Sequence, residues 1–210
     1  MNILFINGSP KVNKSASGML LDELRDYMQE HAIVQYSLNV NKKPDSVLLQ
    51  SLSEQDIIVL SFPLYVDSIP SHFLHYLTEM ENYLKYNSSK AVVYAIVNCG
   101  FYEGHQNRHA LEMLKIWCTK ANLKWGQGLG IGAGGMLAGL GNVPKGKGPR
   151  KNASAALLEL ASNAAEKRSG KDIYASPNFP RFLYKVMGNI GWRTQAKRNG
   201  LKTKDIFLQR

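Results

Sequence analysis

The chain reads as a three-layer α/β sandwich, a parallel sheet of five strands with helices on both faces. Three observations predict it. Short apolar, β-branched runs alternate with segments whose apolar residues recur at helical spacing. Such alternation needs crossover connections, which make a sheet parallel and cover both of its faces. Finally, three of the strands run into loops built from Gly, Pro, Ser and Asn, as expected where a sheet's carboxyl edge carries a site.

The elements follow in order. Residues 3–6 are apolar and form the first strand, which breaks at Asn7, Gly8, Ser9 and Pro10. Leu20, Leu21, Leu24, Tyr27 and Met28 share one face of a helix over 17–30. Residues 32–38 read as the second strand and 45–52 as a short helix. The run 57–61 is continuous and opens on the β-branched Ile57, Ile58 and Val59, so it reads as a buried third strand. Pro70 opens a helix to about residue 86, proline being welcome in a first turn. Residues 91–97 form the fourth strand, and a helix over 105–122 carries Leu111, Leu114, Trp117, Cys118 and Ala121 as its apolar stripe. Residues 126–131 are a weak, glycine-broken fifth strand, and an Ala/Leu helix spans 153–168. Residues 1–175 are read as one domain and 176–210 as a basic, aromatic extension.

At 210 residues, 44% of them hydrophobic, the chain can bury a substantial core. No apolar run approaches the length of a membrane span. The opening strand lacks the features of a secretory signal. Cys99 and Cys118 fit no zinc, iron–sulfur or disulfide framework, so a reducing cytoplasm is the expected location and no metal is expected. The net charge of +10 is uneven: residues 1–144 carry 11 Lys and Arg against 12 acids, residues 145–210 carry 15 against 4.

The first loop suits phosphate, since a helix N-terminus offers unpaired N–H groups and a positive dipole end. Ser9, Pro10, Lys11, Ser15, Ala16 and Ser17 surround that position. Two chemistries compete. The stretch GSPKVNKS from Gly8 to Ser15 approximates a nucleotide-binding P-loop. Asn13 stands where that pattern needs glycine, Pro10 removes a donor, and no Asp ends a later strand to hold magnesium. The other is the terminal phosphate of a flavin mononucleotide (FMN), for which hydroxyls and backbone N–H groups suffice without metal. Two later loops supply what a flavin ring wants. Pro63, Leu64, Tyr65 and Val66 follow the third strand; Asn98, Cys99, Gly100, Phe101 and Tyr102 follow the fourth. Tyr65, Phe101 and Tyr102 offer surface, and the backbone from Asn98 to Phe101 offers donors.

In GSPKVNKSAS, in PLYVDSIP at 63–70, and in NCGFYEGHQN at 98–107 followed by WGQGLGIGAGGML, the chain resembles the NAD(P)H-dependent FMN reductases of flavodoxin-like fold. The resemblance covers about residues 1–137. It implies a flavodoxin-like sandwich with a five-stranded sheet in the order 2-1-3-4-5. It also implies an FMN phosphate at Ser9, Lys11, Ser15 and Ser17, with the flavin ring against the second and third loops. The implied activity is hydride transfer from NADH or NADPH through FMN to a small acceptor such as a quinone or flavin. The alternative is a flavodoxin-like electron carrier without NAD(P)H activity of its own. In either case the cofactor carries the chemistry, so no catalytic side chain is expected. A homodimer or higher homo-oligomer is expected, and no nucleic-acid partner.

Two stretches stay open. Residues 130–135 satisfy G-x-G-x-x-G, but no helix is expected to open there and no acid follows before Glu159. They read as a flexible loop near the rim or as a plain connection. Residues 178–201 mix aromatics with Arg and Lys. An arm on a partner subunit, a helix on an anionic membrane surface and a nucleic-acid patch all compete, with Gly188 and Gly191 expected to interrupt any long helix.

Overall fold

The computed structural model describes residues 1–38 and 40–207. It divides into two units, Met1–Pro177 and Asn178–Arg210. In the first unit the order is β1 (Asn2–Asn7), α1 (Ala16–Tyr27), β2 (Ala32–Ser37), α2 (Ser46–Glu54), β3 (Ile57–Pro63), α3 (Ser71–Leu84) and β4 (Val92–Asn98). Then come α4 (Arg108–Lys120), β5 (Lys124–Ile131), α5 (Gly134–Gly139), α6 (Lys151–Ala165) and β6 (Ile173–Ala175).

All pairings are parallel, and the sheet order is β2-β1-β3-β4-β5-β6. The expected 2-1-3-4-5 order is present, but the sheet has six strands where five were expected. The sixth pairs Ile173, Tyr174 and Ala175 with Leu129, Gly130 and Ile131. Asp172 fixes it: one carboxylate oxygen accepts the Gly128 N–H at 3.0 Å, and the other meets Lys115 Nζ at 2.6 Å.

The pleat sorts the core into two layers, because successive side chains point to opposite faces. Leu4, Ile6, Ile58, Leu60, Phe62, Val93, Ala95 and Val97 pack under α2, α3 and α4. Ile3, Phe5, Ile57, Val59, Tyr94, Ile96, Leu129 and Ile131 pack under α1 and α6. β5 is broken as its glycines suggest: Tyr94 pairs with Gln127 and Val93 with Trp125, leaving Gly126 as the extra residue of a bulge.

In the second unit, α7 (Arg181–Arg198) is one continuous helix of 18 residues. Gly188 and Gly191 do not interrupt it, contrary to expectation. A glycine costs only about 1 kcal/mol in a helix interior, which good helix formers around it offset. α7 ends in a Schellman motif at Gly200, whose φ of 74° suits glycine. There Leu201 N–H donates to Ala196 O at 3.0 Å and Gly200 N–H to Lys197 O at 3.0 Å. Among the described residues, no helix is long and apolar enough to cross a membrane.

Candidate functional site

Parallel strands put the carboxyl ends of β1, β3, β4 and β5 on one edge. The loops leaving them enclose an open cleft of about 530 Å³. Ser9, Lys11, Ser15, Ala16 and Ser17 line it from β1; Pro63, Leu64 and Tyr65 from β3; Asn98, Cys99 and Gly100 from β4. Eleven of the fifteen residues singled out in the sequence therefore meet in one place.

The β1 loop is folded on its own side chains. Ser9 N–H donates to Asn7 Oδ1 at 3.1 Å, and Lys11 N–H to Ser9 Oγ at 3.3 Å. Ser15 caps α1, its Oγ accepting the Gly18 N–H at 3.0 Å. Ala16 and Ser17 occupy the first turn, where helix geometry gives an N–H no intrahelical acceptor. With no acid in that turn and Lys11 in the same lining, this part of the cleft is a place for an anion. From outside, His72 in the first turn of α3 places Nε2 3.0 Å from the Gly8 carbonyl oxygen and braces the loop.

Ser17 is also a joint. Its Oγ accepts from Asn98 Nδ2 at 2.8 Å, and its carbonyl accepts from Ser61 Oγ at 3.2 Å. The Asn98 amide also reaches Phe62 O at 3.2 Å. Both residues are buried, so the floor of the cleft is a hydrogen-bonded brace across β3, β4 and α1.

Four of the singled-out residues lie elsewhere. Pro10 faces a second cleft beside the ends of β1 and β2. Val66 sits at the tip of a two-residue turn closed by Tyr65 and Ser68, which exchange N–H···O bonds at 3.0 Å in both directions. Val66 and Asp67 have φ of 48° and 56°, the type I′ geometry, and Val66 is 99% exposed. Phe101 is exposed outside the cleft lining. Tyr102 turns its hydroxyl to Pro177 O at 3.4 Å. The row of backbone donors expected from Asn98 to Phe101 is partly spent, because Cys99 N–H donates to Ile131 O at 3.0 Å.

The run at 130–135, expected as a rim loop or a plain connection, supplies a fourth wall. Gly134 and Gly135 line the cleft, and a helix does open there, contrary to expectation. Ala133 N–H donates to Phe101 O at 2.6 Å and Gly134 N–H to Cys99 O at 2.7 Å, fastening this loop to the β4 loop. A Cβ on Gly132 would lie 2.1 Å from the Tyr102 carbonyl oxygen. The glycine-rich run therefore serves backbone-to-backbone packing rather than a dinucleotide fingerprint. The signal for it was the run of small residues directly after a strand.

Cys99 borders the cleft as a neutral thiol. Burial pushes its pKa up, outweighing the hydrogen bonds that its sulfur receives from the Phe101 backbone and the Asn107 amide. It is thus unsuited to act as a nucleophile at neutral pH. Among the described residues no cluster of His, Cys, Asp and Glu could hold a metal.

No protein-family model and no curated protein sequence matches the chain. Solved structures do. A flavodoxin from Streptococcus pneumonia TIGR4 aligns with a TM-score of 0.55 at 8% identity, covering 80% of this chain and 99% of its own. An NADPH-quinone reductase from P. pentosaceus gives 0.58 at 14% identity, covering 77% and 98%. An FMN-dependent NADH-azoreductase from Bacillus anthracis str. Ames Ancestor, solved in complex with FMN, gives 0.53 at 15%, covering 79% and 100%. The chain therefore has the flavodoxin-like fold, an α/β sandwich that it shares with a flavodoxin and with two reductases.

Proposed function

We propose that the cleft binds FMN and that the protein is an oxidoreductase passing hydride from NADH or NADPH to a small acceptor. The observation that carries this reading is the convergence of three chemically different loops on one cleft. The first brings hydroxyls, a lysine and a helix start, the second Pro63, Leu64 and Tyr65, and the third Asn98, Cys99 and Gly100. A Cβ built on Gly100 would meet no protein atom within 4 Å, so there is room for a flat ring against the chain. The fold likeness to an NADPH-quinone reductase and to an FMN-bound NADH-azoreductase is consistent with this reading.

In this reading Ser9, Ser15 and Lys11 hold the phosphate together with the N–H groups of Ala16 and Ser17, and the dipole of α1 favours the dianion. Tyr65, half-exposed on its hairpin, covers part of one ring face. Asn98 keeps the floor rigid through Ser17 and Phe62. Bound FMN supplies the hydride chemistry. The protein's part is to position reactants and leave one face open, so no side chain is assigned a proton transfer.

The test is the absorbance spectrum of the purified protein, before and after NADPH or NADH without oxygen. A flavin band that bleaches with either nucleotide supports the reading. A band that persists makes the protein an electron carrier of the same fold. No band, even after incubation with FMN, rejects the assignment of all three loops.

A further inference from the structure

The side chains of α7 divide by position. Phe182, Leu183, Val186, Met187 and Ile190 recur at helical spacing and share one side of its first half. All five are exposed, from 37% for Leu183 to 67% for Phe182. Arg193 and Lys197 continue the same side toward the C-terminus, so one face passes from apolar to cationic along the axis. Arg198, Lys202 and Lys204 follow. Over 178–210 there are eight Lys and Arg against one acid, Asp205.

We propose that α7 docks on an anionic lipid surface. The 182–190 half enters the boundary between acyl chains and headgroups, while Arg193, Lys197 and the cations beyond contact lipid phosphates. Charge complementarity selects this occupant. A second copy packed in parallel would bring like charge against like, and one packed antiparallel through 182–190 would leave the cations at both ends without an anionic partner. Nucleic acid would engage the cations but gain nothing from five exposed apolar side chains on one side. An anionic bilayer uses both ends of the face. The inference stands apart from the flavin reading, since it uses no residue of the cleft.

The experiment is cosedimentation of the full chain with vesicles of phosphatidylcholine alone or with roughly one-third phosphatidylglycerol. Binding to the mixed vesicles should exceed binding to neutral ones at least about tenfold and weaken as salt is raised. Val186→Asp with Ile190→Asp should abolish it. Arg193→Gln with Lys197→Gln should reduce it severalfold while leaving the apolar stripe intact.

Three results would overturn the proposal: equal binding to both vesicle types or none; an Asp double variant that binds as the parent does; or duplex DNA bound in place of vesicles. Light scattering adds a fourth. A parent dimer that the Asp variant splits, with no vesicle binding, makes the face a contact between copies and ends the lipid assignment. Flavin content measured on the same samples keeps the two readings separate, because each can fail while the other stands.

Discussion

At the scale of single residues, Gly100 separates the flavin reading from packing. A Cβ there would meet nothing beyond its chain neighbours within 4 Å and its φ is not in the left-handed region, so a side chain there disturbs chiefly a guest. Gly100→Val should weaken FMN binding at least about tenfold, about 1.4 kcal/mol, while the thermal midpoint stays put. Fluorescence titration with FMN beside a melting curve reads both. Val66 tests strain. A β-branched residue at φ 48° with 99% exposure has unfavourable backbone and almost no packing to repay it. Val66→Asn should therefore stabilise the protein by about 1 kcal/mol in urea unfolding. No gain would mean that the turn is not strained.

At the scale of elements, the clearest test is the seam between the β4 and β5 loops. Gly132→Ala would place a methyl group against the Tyr102 backbone, which cannot rotate away as a side chain could. A cost of about 1–3 kcal/mol is expected. Flavin affinity should fall with it, since Cys99 and Gly134 are joined across the same seam. This scale also shows where sequence reading works. Residues 57–60 and 91–97 are apolar at successive positions, as a central parallel strand covered on both faces requires. β6 was invisible because three residues carry no periodicity and their partners lie in β5, 44 positions away, where Asp172 also accepts from Gly128. α5 and the unbroken α7 were misjudged for one reason: glycine was weighed as a breaker where close packing or compensating neighbours decide. At the site, hydroxyls and a lysine near a helix start were legible. Which of Tyr65, Phe101 and Tyr102 would face the cleft was not, because a loop's side-chain direction is set by contacts such as Tyr102 to Pro177.

At the scale of the whole unit, the edge of the sheet away from the cleft carries its own clasp. Asp56 accepts the Asn2 N–H at 3.0 Å and meets Lys167 Nζ at 2.5 Å, tying β1 and β3 to the end of α6. The Lys167 hydrogen bond, then the Asn2 N–H, hold its pKa below the ordinary 3.8. A carboxylate with a depressed folded pKa adds stability above its unfolded value and loses it as pH falls through the folded one. Asp56→Asn should thus lower stability at neutral pH, by no more than about 1 kcal/mol given the exposure of the pair. The gap between parent and variant should close below about pH 3.8. Denaturant titrations at neutral and acid pH check both signs, and flavin binding at pH 7 should be unchanged because the clasp is remote from the cleft.

The hydrogen bond from Asn98 to Ser17 spans 81 positions, and the wall at Gly134 is fastened to Cys99 only after β5 is in place. A growing chain therefore has its anion loop long before it has a floor or a fourth wall. In cells, the cleft can be completed only after synthesis has passed residue 135. A cofactor that needs every wall of the cleft would therefore meet a chain whose first four strands and β5 have already been made.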